Sequence, residues 1–169
     1  ASIAHLVIEQ GDAAGLDLFD DEVRATLPPG NSSLHLRHLF DTIEKAKPLG
    51  RTDVGRVLVR VSEQVRKRGL VVVVSDLMGD VESVLRGLRQ LRSRRHDVIV
   101  LQVLDPAEIE FPFEQMTMFE GLEGRPELLA DPKSLRRAYL GRLEAFRTRL
   151  RAGCLAERID VVEMSTRTP

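Results

Sequence analysis

The chain has little of what most often announces a function. Among its 169 residues there is one cysteine, one tyrosine and no tryptophan. A lone Cys154 cannot form an internal disulfide, which fits a reducing compartment and excludes a disulfide-stapled scaffold. With so few aromatics, aliphatic side chains must fill the core, and an apolar fraction of 43 % is enough for a sizeable one. No apolar run reaches the roughly 18 residues needed to cross a bilayer. The opening residues, Ala1 to Val7, lack the basic start and long apolar stretch of a secretory signal. The expectation is therefore a cytoplasmic protein. Neither a Gly-x-Gly-x-x-Gly nor a Walker A pattern occurs, so the common nucleotide cradles are missing. The net charge of −1 provides no general attraction for nucleic acid or anionic lipid.

That charge balance conceals an asymmetry. From Asp105 to Asp131 there are eight acidic residues and one basic residue, Arg125. The rest of the chain is formally +6. Arg86, Arg89, Arg92, Arg94 and Arg95 form a basic cluster, and helical spacing turns Arg86, Arg89 and Arg94 away from the apolar stripe as a solvated face. No aromatics interleave them and no nucleic-acid motif is present, so nucleic acid is not the expected partner.

The most informative segment is Leu70-Val71-Val72-Val73-Val74-Ser75-Asp76. An unbroken aliphatic run of this length suits a strand buried on both faces of a parallel sheet. Such sheets bind ligands beyond the carboxyl ends of their strands, where Ser75 and Asp76 stand. Around it, periodicity predicts a short helix near Ile3–Val7 and a strand pair at Gly15–Phe19 and Glu22–Leu27, with Pro28-Pro29-Gly30 breaking the pattern. A helix capped by Ser32 or Ser33 follows, with Leu36, Leu39, Phe40 and Ile43 inward. The next helix carries Val54, Val57, Leu58, Val61 and Val65 inward and has Gly69 placed to end it. Asp80 can cap another helix, Val98–Leu104 reads as a second buried strand, and Pro106 to Asp131 as an irregular insert with a hairpin. Asp131-Pro132 starts a long helix, and Ile159–Met164 is a final strand. Alternation of strand and helix predicts a doubly wound α/β fold with a mostly parallel sheet and helices on both faces. The whole chain, 1–169, reads as one domain with its insert at about 106–131.

Ser75, Asp76, Thr52, Asp53 and Asp80 offer hydroxyl and carboxylate oxygens, the ligand set that Mg²⁺ or Mn²⁺ prefers. Turn and cap roles are the alternative for the same aspartates. Leu18-Phe19-Asp20, Leu27-Pro28-Pro29, Gly50-Arg51-Thr52-Asp53, Val74-Ser75-Asp76, His96-Asp97-Val98 and Val103-Leu104-Asp105-Pro106 then carry a resemblance. The chain resembles a von Willebrand factor A-type domain, specifically the bacterial "domain of unknown function 58" group. Genes of that group commonly neighbour those of MoxR-type AAA+ ATPases. The resemblance implies a metal-ion-dependent adhesion site with an Asp-x-Ser-x-Ser first loop, a second-loop Thr and a third-loop Asp. Thr52 matches the second loop and Asp76 the third, with Ser75, Asp53 and Asp80 peripheral. Asp-x-Ser-x-Ser occurs nowhere in this sequence, so the resemblance implies a chain lacking the family's central first strand. Tight metal binding is not expected of Thr52 and Asp76 alone. An unpaired edge beside Leu70–Val74 is expected to rearrange or self-associate.

The expected role is a non-enzymatic interaction module, an adaptor or assembly partner of a MoxR-type ATPase. Its alternative is a divalent-metal-dependent enzyme handling a phosphorylated substrate through Asp76. Phe111, Phe113 and Met116, rimmed by acidic residues, are candidates for partner contact, with packing onto their own domain as the alternative. His35 and His38 share a helix face at i, i+3 without a further His or Cys, and read as a solvated pair.

Overall fold

The computed structural model describes residues 1–47, 53–121 and 125–167, and side chains outside 119–130. The chain divides into two compact units, Ala1–Asp53 and Val54–Pro169.

In the first unit, helix α1 (Ser2–Glu9) precedes an antiparallel hairpin of β1 (Ala14–Phe19) and β2 (Val23–Gly30), and α2 (Ser33–Glu44) follows. Ser32 caps α2 by accepting from the backbone N–H of His35 at 3.1 Å, as its position predicts. β2 runs further than expected. Pro28 and Pro29 lie inside it, tolerated where the register slips between Ala14 and Leu16. The expected inward face of α2 is only partly buried. Leu39 is sealed, whereas Phe40 and Ile43 stay exposed.

The second unit is built on a three-stranded parallel sheet ordered β3-β4-β7, from β3 (Leu70–Ser75), β4 (Asp97–Leu104) and β7 (Asp160–Ser165). Helix α3 (Val54–Gln64) precedes it and α4 (Val81–Ser93) joins β3 to β4. After β4 come the single turn α5 (Pro106–Glu110), the hairpin β5 (Thr117–Gly121) and β6 (Arg125–Ala130), and the long α6 (Pro132–Ala156). This mixed architecture is an α/β fold consistent with double winding. α3 ends at Gln64, five residues before Gly69, and an exposed Arg66-Lys67-Arg68 connection intervenes.

Burial alternates along β4. Val98, Val100, Gln102 and Leu104 are sealed, while Ile99, Leu101 and Val103 are half-buried. Glu163, opposite Gln102 in register, pairs with Arg147 and Arg151 of α6, so the sealed face lies beneath that helix. α3 and α4 meet where Gly55 faces Ser83 and Gly87 faces Leu58, close approaches that any Cβ would obstruct. β3 differs from its sequence-based expectation. Expected to be buried on both faces, it has Val73 buried but Leu70 and Val74 more than half exposed, and it lies at an edge of the sheet. Among the described residues, no strand pairs with its outer side.

Candidate functional site at the carboxyl edge of the sheet

The three parallel strands each end in a polar group. Asp76 follows β3, Asp105 follows β4 and Thr166 follows β7. The edge is tied together by hydrogen bonds. Gln102, fully buried in β4, donates from Nε2 to the Asp76 carbonyl at 3.1 Å. Thr166 Oγ1 donates to Asp105 Oδ2 at 2.8 Å, and the Thr166 N–H donates to the Leu104 carbonyl.

Asp76 is exposed and begins a tight turn. Its Oδ1 accepts from the Met78 N–H at 2.9 Å, and Ser75 Oγ accepts from the Leu77 N–H at 3.0 Å. Leu77 adopts a left-handed conformation (φ 60°) yet is fully buried, so its side chain pins the turn to the core despite the backbone strain. The result is a rigid loop presenting one carboxylate, with one hydroxyl 3.5 Å from it.

The other candidates separate. Asp80 caps α4, accepting from the Ser83 N–H at 2.9 Å. Asp53 is exposed at the end of the first unit. Thr52 lies outside the described residues. Among the described residues no three His, Cys, Asp or Glu side chains converge as a metal would require. Ser75 and Asp76 match a hard cation in donor type, but supply only two side chains of the six or more oxygens such ions take.

Asp105 was legible as a strand-end residue, and its role is local. It caps α5 in a reciprocal capping box with Glu108. The Ala107 N–H and the Thr166 hydroxyl hold its carboxyl below the ordinary range. Sequence reasoning missed Gln102 and Thr166. Gln102 left a signal, being the one polar residue between Val98 and Leu104. Its Oε1 is buried without a hydrogen-bond donor among the described residues.

Of the proposed contact residues, Phe111 is buried, stacked on Tyr139 at 4.9 Å and edge-on to Phe113 at 5.2 Å. Arg136 anchors its carbonyl at 2.5 Å. Phe113 is half-buried, whereas Met116 is 62 % exposed. The two histidines are not equivalent, contrary to expectation. His35 Nε2 donates to the Ala14 carbonyl at 2.7 Å, tying α2 to β1, while His38 stays exposed. The arginine stretch is only partly free. Arg92 binds the carbonyls of His96 and Glu157, and Arg89 pairs with Glu157.

Fold and edge together define a mixed α/β unit whose strand-end loop after β3 presents a carboxylate and a hydroxyl. The chain belongs to the DUF58 family, proteins of unknown function, which matches residues 1–149. It is 28 % identical over 115 residues to uncharacterized proteins of Mycobacterium tuberculosis and Mycobacterium bovis. That similarity covers 66 % of this chain and 36 % of each relative, so the chain spans about a third of their length. No solved structure gives a significant match. No helix among the described residues is long and apolar enough to cross a membrane.

Proposed function

We propose that this chain is a non-enzymatic, cytoplasmic protein-interaction module of the von Willebrand factor A type, engaging its partner at the carboxyl edge of the sheet. The partner in this reading is a MoxR-type AAA+ ATPase or a client that such an ATPase remodels. The observation that carries it is the exposed Asp76 carboxylate on a turn locked by Leu77 and braced by buried Gln102. A rigid, exposed carboxylate suits recognition, because little conformational freedom remains to be lost on binding. Asp76 would supply one side-chain oxygen of an adhesion-type Mg²⁺ or Mn²⁺ site, to which an acidic side chain of the partner would add its carboxylate. Such an ion supplies a positive centre for that carboxylate. The unpaired side of β3 recruits a further strand, giving self-association wherever a second copy provides it.

The test is a pull-down of a purified MoxR-type ATPase by the chain, with and without Mn²⁺. Asp76→Asn should abolish the metal-dependent fraction. Phosphatase turnover that disappears in Asp76→Asn would instead establish the enzyme reading. A strictly monomeric chain by sedimentation would remove the strand-recruitment part.

A further inference from the structure

The opposite, amino edge of the same sheet carries a feature that the carboxyl-edge reading does not use. Three helix-to-strand turns converge there. The Asp97 N–H donates to the Gly69 carbonyl at 3.1 Å, joining the turn before β3 to the turn before β4. Arg92 bonds the carbonyls of His96 and Glu157, joining the latter turn to the one before β7. The turns bring together Arg66, Lys67, Arg68, Arg94, Arg95 and Arg158, all exposed. None of the six forms an ion pair among the described residues. Nearby Asp97 pairs with Arg92 and Glu157 with Arg89, so both of these carboxylates are engaged elsewhere.

Two of these arginines sit where the backbone discourages them. Arg95 and Arg158 each follow the cap residue of a helix, α4 and α6 respectively, and both are left-handed (φ 67° and 55°). Glycine or asparagine is the usual choice at that position, since a Cβ is strained there. The same unfavourable substitution recurs in two turns on one edge, each time with an exposed guanidinium. An observed strain of this kind points towards function rather than folding.

We propose that this amino edge is a docking surface for an acidic segment of a partner protein, with Arg95 and Arg158 as its charge anchors. Five of the six cations are arginine, whose planar fork matches carboxylates bidentately. Neighbouring strands lie about 4.8 Å apart, so three turns span about 10 Å, the width of one peptide segment. Leu155, 79 % exposed one turn before Arg158, and Leu70, 54 % exposed beside Gly69, supply apolar contacts for a segment mixing acidic and aliphatic residues. No aromatic side chain is exposed on these turns for stacking against bases.

The test uses the full 169-residue chain and a fluorescent twelve-residue peptide of Glu and Asp with two leucines, followed by anisotropy at low and high salt. Single-stranded DNA and phosphatidylserine vesicles are run alongside. Salt-sensitive peptide binding is expected. The double variant Arg95→Gly/Arg158→Gly should weaken it about five- to tenfold while leaving the melting temperature equal or higher. Arg66→Ser/Lys67→Ser/Arg68→Ser should weaken it too, and Asp76→Asn should leave it unchanged, which separates this surface from the carboxyl edge. Unchanged affinity in the glycine double variant would overturn the proposal, as would a lowered melting temperature. Tighter binding to DNA or vesicles than to the peptide would also overturn it.

Discussion

Gln102 reaches from the middle strand of the sheet to the main chain of Asp76, its Nε2 3.1 Å from the carbonyl oxygen. One buried amide thereby braces the turn that follows β3. Gln102→Ala should leave that carbonyl without its side-chain donor and open a cavity, costing about 1–3 kcal/mol. Urea unfolding measures the loss. Hydrogen exchange should quicken first at Leu77 and Met78, whose amides bond to Ser75 and Asp76.

The α3–α4 contact gives a prediction with an internal control. A Cβ on Gly55 would lie 2.6 Å from the main-chain carbonyl carbon of Ser83, and one on Gly87 would lie 2.6 Å from Leu58 Cβ. Backbone cannot yield as a flexible side chain can, so Gly55→Ala should destabilise by about 1–3 kcal/mol. Gly141 in α6 has no atom within 4 Å of such a Cβ. Gly141→Ala should therefore stabilise by about 0.5–1 kcal/mol through helix propensity alone. Equal signs for the two variants in chemical denaturation would refute the assigned packing.

Acid should loosen the first unit through Asp20. Arg24 donates Nε to both its carboxylate oxygens at 2.7 Å, and the Glu22 N–H adds a third bond. The Arg24 guanidinium is the main cause holding this carboxyl far below its usual value of 3.8, with desolvation opposing. A lowered folded-state pKa means the stabilisation is complete above the unfolded value and is lost as pH falls beneath it. Melting temperature should drop steeply below about pH 4, and Asp20→Asn should flatten that limb while lowering stability at pH 7.

Cys154 should be chemically silent in the native protein. It is completely buried in α6, and burial pushes its thiol up to about 11. A disulfide reagent at pH 8 should label it only as fast as the chain opens, with full labelling in denaturant. Rapid native labelling would contradict the packing of α6 on the sheet.

Much of the architecture could be read directly because its causes are local. Ser32, Asp80 and Asp131 each cap the helix that their position announces, since capping needs only a side-chain oxygen two or three residues before an amide. Val57, Leu58 and Val61 are buried as their spacing requires. Local rules also misled. The proline pair in β2 remained in the strand because a register slip removed the need for its amides. α3 stopped before Gly69, which a pattern of glycine stops does not anticipate.

What the sequence by itself determined is the order of strands and helices, the caps, and the strand-end position of Ser75 and Asp76. These depend on side-chain period and on hydrogen bonds a few residues apart. Only the tertiary structure decided that Leu70 and Val74 of β3 stay exposed, that Gln102 braces Asp76 across 26 residues, and that six separated cations share one edge. Those outcomes depend on which strands pair and in what register. Pairing across long stretches of chain is set by burial of the whole sheet, and no local pattern in the sequence encodes it.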